Sequence, residues 1–143
     1  APLAGELSGH IFFKERWYGF DDAIYTAARF IEIFNNTDEA PTKLFAELPD
    51  SVSTPELRMP LAEDKHSDFM KAFIEKITVT GGDVCDLDGL RVDYSDGWGL
   101  ARPSNTSPNI VLRFEGEDEV VLERIMTEFR TVIKLILPGE LTF

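Results

Sequence analysis

Residues 88–116 read DGLRVDYSDGWGLARPSNTSPNIVLRFEG, and this stretch decides the fold. Asp88-Gly89 and Asp96-Gly97 are turn dipeptides that cut it into short strands. Leu90, Val92 and Tyr94 alternate with Arg91, Asp93 and Ser95, the period of a half-buried strand. After a loop at 102–108, Ile110, Leu112 and Phe114 alternate with Val111, Arg113 and Glu115. Strands separated by such short turns pair antiparallel with their neighbours.

The flanks supply helices. Downstream, Glu117, Asp118 and Glu119 suit a helix N-terminus, and Leu122, Ile125, Met126, Phe129, Ile133 and Ile136 form its expected buried stripe. Upstream, Leu57, Met59 and Leu61 alternate as a strand, with Pro60 at an edge or near the end. Asp64 is then expected to cap a helix carrying Phe69, Met70, Phe73, Ile74 and Ile77 on one face, and Gly81-Gly82 turns the chain. Residues 56–137 thus read β-α-β-β-β-β-α. The fold class is α+β: a mainly antiparallel sheet of four to five strands with two helices on one face.

Upstream of residue 56 the pattern changes. Residues 35–55 carry Asn35-Asn36, Pro41, Pro49 and Pro55 with Ser51, Ser53 and Thr54, which is linker chemistry; Leu44, Phe45 and Leu48 suggest one helical turn within it. Residues 10–13 read as a strand, and Asp21-Asp22 can cap a helix on which Ile24, Ala27, Ala28 and Ile31 repeat at helical spacing. Eight of the chain's aromatic residues lie in the first 34 positions, too many for one strand and one helix to bury. This third is expected to be the end of a larger α/β unit. The division is 1–48 as that remnant, 49–55 as a joint and 56–143 as a complete domain.

Composition narrows function. The chain has 143 residues, with 14 basic against 26 acidic and a net charge of −12, which argues against a nucleic-acid or anionic-membrane binder. No apolar run approaches the roughly 20 residues of a membrane span. No basic-then-apolar leader opens the chain, which starts at Ala1 and is expected to be processed or cut from something longer. A single cysteine, Cys85, fits a reducing cytoplasm and, lacking a paired histidine motif, reads as a buried thiol and not as a nucleophile. No metal site is expected, because His10 and His66 lack ligand companions at metal spacing.

Two stretches carry chemistry. Residues 97–114 contain no Asp or Glu but do contain Arg102 and Arg113. At their centre, Arg102-Pro103-Ser104-Asn105-Thr106-Ser107-Pro108 offers a guanidinium, three hydroxyls, an amide and backbone N–H groups. Those are the groups a phosphate needs, on a loop stiffened by two prolines. The same residues are also common in plain polar turns, so anion loop and simple connection both fit. The second stretch is Gly5-Glu6-Leu7-Ser8-Gly9-His10. Glu6 and Ser8 could hold hydroxyl groups and His10 could move a proton, or the stretch is a surface turn.

Together these stretches resemble a known family. Gly5 to His10, running into Ile11-Phe12-Phe13, resembles the sugar-binding loop of the α-D-phosphohexomutase superfamily. Asp96-Gly97-Trp98-Gly99-Leu100 running into 102–108 resembles the phosphate-binding loop of its C-terminal domain. The bacterial phosphomannomutase/phosphoglucomutase branch matches best. Further likenesses are Arg16-Trp17, Gly19-Phe20 and Asp22, Ser53-Thr54-Pro55-Glu56, and Asp88 to Tyr94. Leu7 stands where methionine is often seen, and Ser107 holds a variable position.

The resemblance implies a four-domain enzyme of which this chain is the tail of domain three, the hinge and domain four. Such an enzyme interconverts hexose 6-phosphate and hexose 1-phosphate of glucose or mannose. It works through a phosphoserine and a hexose 1,6-bisphosphate intermediate. Arg102, Ser104, Asn105 and Thr106 would hold the non-transferred phosphate, Glu6 and Ser8 the sugar hydroxyls, and His10 would serve proton transfer. The phosphoserine and the Mg²⁺ loop would lie outside this chain, which alone would be inactive and bind no cofactor. Expected partners are hexose phosphates and the remaining domains, in a cytoplasmic monomer. A stand-alone α/β anion-binding or regulatory module is the other reading of the same loop.

Overall fold

The computed structural model describes residues 1–6, 8–77 and 81–139. The chain divides into two compact units, residues 1–49 and 50–143.

In the first unit, β1 (Leu3–Gly5) and β2 (Ile11–Phe13) form an antiparallel hairpin in which Leu3 faces Phe13 and Gly5 faces Ile11. The strand expected at 10–13 therefore has a ladder partner. The first five residues hid it, being too short to show alternation. Helix α1 (Ala23–Asn35) begins at Asp22, whose side chain accepts from the Tyr25 N–H at 2.9 Å. Helix α2 (Pro41–Ala46) starts on proline, which suits a first-turn position with no N–H to satisfy. It meets α1 through Phe34 and Phe45, ring centroids 6.5 Å apart.

The face that α1 turns to the hairpin is not the apolar stripe. Ile24 and Ile31 are 85% and 60% exposed, and Ala27 and Ala28 are also exposed. The inward side carries Tyr25 and Arg29 instead. Tyr25 stacks on Trp17 at 4.3 Å and meets Phe13 edge-on at 5.5 Å. The Arg29 guanidinium lies 4.8 Å from the Phe13 ring and pairs with Glu15 and Glu32. Arg16, in a left-handed backbone conformation at φ 58°, closes the network with a two-pronged bond to Glu32 at 2.8 and 2.7 Å.

The second unit is the α+β domain. Its strands are β3 (Val52–Ser53), β4 (Leu57–Pro60), β5 (Asp83–Cys85), β6 (Leu90–Tyr94), β7 (Gly97–Pro103) and β8 (Asn109–Gly116). They form one antiparallel sheet in the order β3-β8-β7-β6-β5, and β4 shares with β3 the outer edge of β8. Within the stretch read as a joint, Val52 and Ser53 therefore belong to this sheet. Thr54 extends the pairing: its N–H donates to the Phe114 carbonyl, and its buried hydroxyl accepts from the Phe114 N–H at 3.1 Å.

Helices α3 (His66–Lys76) and α4 (Glu119–Ile136) pack on one face of the sheet. Asp118 caps α4 by accepting from the N–H groups of Val120 and Val121, both at 2.9 Å. Asp64 does not cap α3. It sits in a 3₁₀ turn, Glu63–Lys65, and the helix begins after it without a side-chain cap. On α4 the buried row is Leu122, Ile125, Met126, Phe129, Val132 and Ile133; Ile136 is only half-buried.

The inner face of β7 explains how α4 comes so close. Gly97, Gly99 and Ala101 line it, and a Cβ on Gly99 would lie 2.7 Å from the Phe129 ring. Phe129 takes that space, edge-on to Phe114 at 5.1 Å and 5.5 Å from Phe73. All three rings are fully buried. Cutting such a ring back to alanine costs about 3–5 kcal/mol.

Candidate functional site

In the second unit, strands β7 and β8 place the polar loop at their shared end. Pro103 pairs with Ile110 and Arg102 with Val111, so residues 104–108 bridge the two strands. The loop closes on itself. Ser104 N–H donates to the Asn109 carbonyl at 2.9 Å, and Asn109 N–H to the Ser107 carbonyl at 2.8 Å. The Ser104 and Ser107 hydroxyls are 2.9 Å apart, Asn109 Nδ2 donates to Ser107 Oγ at 3.1 Å, and Thr106 N–H donates to Ser104 Oγ at 3.3 Å. Ser107, set aside at the sequence level, is thus the hydroxyl around which the loop is tied. Its signal was spacing alone, three residues from Ser104. Asn105 and Thr106 are exposed at the tip.

Arg102 is the charged member. Its Nη1 lies 3.2 Å from Asp88 Oδ2, with both side chains open to solvent. Asp88 is carried by the turn before β6, where Gly89 has φ +88° and an added Cβ would overlap the Ala101 carbonyl and Arg102 itself. Glycine is thus required to lay this turn against the base of the loop. Arg113 is elsewhere: it pairs with Leu100, on the same sheet face as Arg102 but further along the strands.

In the first unit, the hairpin brings Glu6, Ser8 and His10 into one loop. Glu6 N–H donates to the His10 carbonyl at 2.9 Å, and Gly9 N–H to the Glu6 carbonyl at 3.0 Å. Ser8 Oγ donates to Glu6 Oε2 at 2.9 Å. Leu7 lies outside the described residues. His10 Nδ1 is 2.5 Å from Asp21 Oδ2, and this hydrogen bond, with the carboxylate's charge, holds the imidazole pKa above its usual value. Asp21 had no signal in the sequence as a site residue, since it read only as part of a helix cap.

Among the described residues no group of three or more His, Cys, Asp or Glu could hold a metal ion. The described residues therefore do not fit a Mg²⁺ site. Cys85 is a free thiol and is exposed, not buried as its sequence context suggested, because it ends β5 at the edge of the sheet. No helix among the described residues is long and apolar enough to cross a membrane.

Comparison with known proteins gives the arrangement a family. Residues 56–132 match the family model "Phosphoglucomutase/phosphomannomutase, C-terminal domain", and residues 1–52 match "Phosphoglucomutase/phosphomannomutase, alpha/beta/alpha domain III". A phosphomannomutase/phosphoglucomutase of Pseudomonas aeruginosa is 48% identical over 136 residues, covering 95% of this chain and 29% of that protein. A phosphoglucomutase of Neisseria meningitidis is 46% identical, covering 94% of this chain and 29% of its own length. A crystal structure of a phosphoglucomutase/phosphomannomutase family protein from Burkholderia thailandensis superposes with a TM-score of 0.86 at 46% identity, covering 99% of this chain and 30% of that one. The chain spans under a third of the length of these relatives. It belongs to the phosphoglucomutase/phosphomannomutase family, carrying sequence of that family's domain III and of its C-terminal domain.

Proposed function

We propose that this chain is the substrate-binding C-terminal part of a phosphohexomutase that interconverts hexose 6-phosphate and hexose 1-phosphate of glucose or mannose through a bisphosphorylated sugar. The observation that carries the reading is the carboxylate-free loop 102–108, tied by its own hydrogen bonds and bearing Arg102 at its base. Arg102, with Ser104, Asn105 and Thr106, grips the phosphate that is not transferred. The guanidinium supplies charge and a planar fork, and the hydroxyls, amide and N–H groups supply short donors. Nothing on this loop makes or breaks bonds; it works by position and electrostatics.

Glu6 and Ser8 hold sugar hydroxyls, and His10 serves proton transfer. As the sugar oxygen bonds to the phosphorus of a phosphoserine, the serine oxygen–phosphorus bond breaks and leaves its electron pair on the serine oxygen. The proton of the sugar hydroxyl then goes to the His10 imidazole. In this proposal the phosphoserine and the Mg²⁺ loop belong to parts of the longer protein outside this chain, so the chain alone turns nothing over. The domain boundaries follow the same reading: 1–48 from domain three, a hinge, and 56–143 as domain four, with the enzyme a cytoplasmic monomer. Val52 to Thr54 are held in the sheet and the N–H groups of Glu47 and Leu48 bond back into α2, so within the proposed 49–55 hinge the freedom falls on residues 49–51.

The test is a pair of assays. The longer protein should interconvert glucose 1-phosphate and glucose 6-phosphate, and Arg102→Ala in it should raise KM for both. An unchanged KM for both substrates would remove the loop from the site.

A further inference from the structure

Asp21 belongs to none of the groups assigned above, yet its carboxylate is held at two points beside His10. Its backbone is bridged to Phe12, which fixes it alongside β2. The next residue, Asp22, caps α1, so the helix start anchors the segment from the other side. The carboxylate then has two partners. Oδ1 accepts from the Ile11 N–H at 3.3 Å, and Oδ2 lies 2.5 Å from His10 Nδ1.

This geometry has a consequence for the proton. An ionised carboxylate only accepts hydrogen bonds, so the proton between Oδ2 and Nδ1 is the imidazole's. Nδ1 keeps it in the neutral and the charged ring alike, and Nε2 is the nitrogen that gains and loses a proton. The ring also takes its orientation from a partner held in two ways, the Asp21 carboxylate by the Ile11 N–H and its backbone by the bridge to Phe12. A carboxylate in this relation to a histidine fixes tautomer and orientation in acid–base sites generally.

We propose that Asp21 is the positioning residue of His10, fixing its tautomer and ring orientation so that Nε2 exchanges the proton of the sugar hydroxyl. The proposal rests on the proton-transfer role given to His10 above. Two titratable groups act on the imidazole, Asp21 first and Glu6 at longer range, and both favour its charged form.

Two experiments test it. The first uses this 143-residue chain labelled with ¹⁵N, followed by long-range imidazole spectra from pH 5 to 9. The wild type is expected to show the Nδ1–H tautomer and a midpoint above 6.5. In Asp21→Asn the midpoint falls back toward 6.5 and the Nε2–H tautomer appears. An unchanged midpoint and tautomer, with the Phe12 and Tyr25 shifts showing a native hairpin, would overturn the proposal.

The second experiment uses the longer protein. Asp21→Asn is expected to lower kcat about 10²-fold, at the low end of what a placed acid–base group contributes, with KM within about twofold. Its acid limb should move to lower pH, and Asp21→Glu should restore part of the rate. Loss of kcat in His10→Gln with full kcat in Asp21→Asn overturns the positioning role alone. Full kcat in His10→Gln overturns the proton role and the positioning role with it, and the imidazole spectra tell the two failures apart.

Discussion

Arg102 and Asp88 form an ion pair across the base of the loop, Nη1 to Oδ2 at 3.2 Å, with the side chains 42% and 72% exposed. A pair this open to water is worth at most about 1 kcal/mol, so it directs the guanidinium without locking it. On the proposed reading, an arriving phosphate, carrying more charge than the carboxylate, would displace Asp88 at small cost. Asp88→Asn should therefore tighten phosphate binding by roughly two- to fivefold and change stability by less than about 1 kcal/mol. Isothermal titration with glucose 1-phosphate checks it. A weaker complex would mean that Asp88 is needed to aim Arg102.

Removal of the guanidinium has the opposite sign. Arg102→Ala would delete the proposed charge-assisted hydrogen bond to the phosphate, worth about 1.5–3 kcal/mol, a loss of about 10- to 150-fold in affinity. Arg102→Lys should recover only part of it, since an ammonium cannot present a planar fork. Full recovery by lysine would show that charge alone is read.

The glycines around β7 predict two separable defects. Gly99→Ala drives a methyl into the Phe129 ring at 2.7 Å and should destabilise the second unit by about 1–3 kcal/mol in urea, leaving phosphate affinity alone. Gly89→Ala meets a left-handed backbone and the Arg102 strand together, costing at least about 1–2 kcal/mol and weakening phosphate binding as well. Equal effects of the two on binding would contradict the placement of Gly89 under the loop.

The first unit should be the softer one, and its softness should depend on pH. No residue of α1 is buried, whereas six residues of α4 are. Amides of α1 are expected to exchange with solvent faster than those of α4. Glu15 is held below its usual pKa chiefly by the bond from Arg29, and Glu32 chiefly by Arg16. A depressed carboxylate contributes stability above its unfolded value of 4.5, and that contribution is lost as pH falls through the folded value. His10 has the reverse sign: its contribution is complete below 6.5 and is lost as pH rises through the raised folded value. Protection of α1 should thus be greatest near pH 5.5 and lower at both 3 and 9. A flat profile would show that these exposed pairs do not hold the unit together.

How much of this was legible in the sequence follows from which residues bury what. The alternation in Leu90 to Tyr94 and Ile110 to Glu115 gave the sheet, because each strand has one face on the helices. The stripe on α4 was found apart from Val132, since Phe129 and its neighbours repeat at helical spacing and all point into one core. The apolar repeat on α1 was legible, but the side of the helix that meets the hairpin was not, and the repeat itself lies exposed. Periodicity reports which side is greasy, whereas the hairpin here recruits Tyr25 and Arg29 through ring contacts and ion pairs. The short β1 and β3 were invisible, because two or three residues cannot show a period. Asp21 was hidden by its neighbour: Asp21-Asp22 looks like one cap, and only the fold separates the residue that caps α1 from the residue that holds His10.

The proposed hinge carries a prediction for the longer protein. Deleting Asp50 and Ser51, just ahead of β3, should slow turnover more than it weakens binding of the first substrate, since reorientation of the bisphosphate needs the domain to reopen. Steady-state and single-turnover rates distinguish the two. Unchanged turnover would refute the hinge.

The most direct measurement for the central claim is an amide chemical-shift titration of this chain with glucose 1-phosphate, with glucose as the control. The account predicts shifts concentrated at 102–107, saturating with the phosphorylated sugar, absent with glucose and lost in Arg102→Ala. No shifts in that loop at millimolar ligand, with the second unit folded, would contradict the claim that the loop holds the sugar's phosphate by itself.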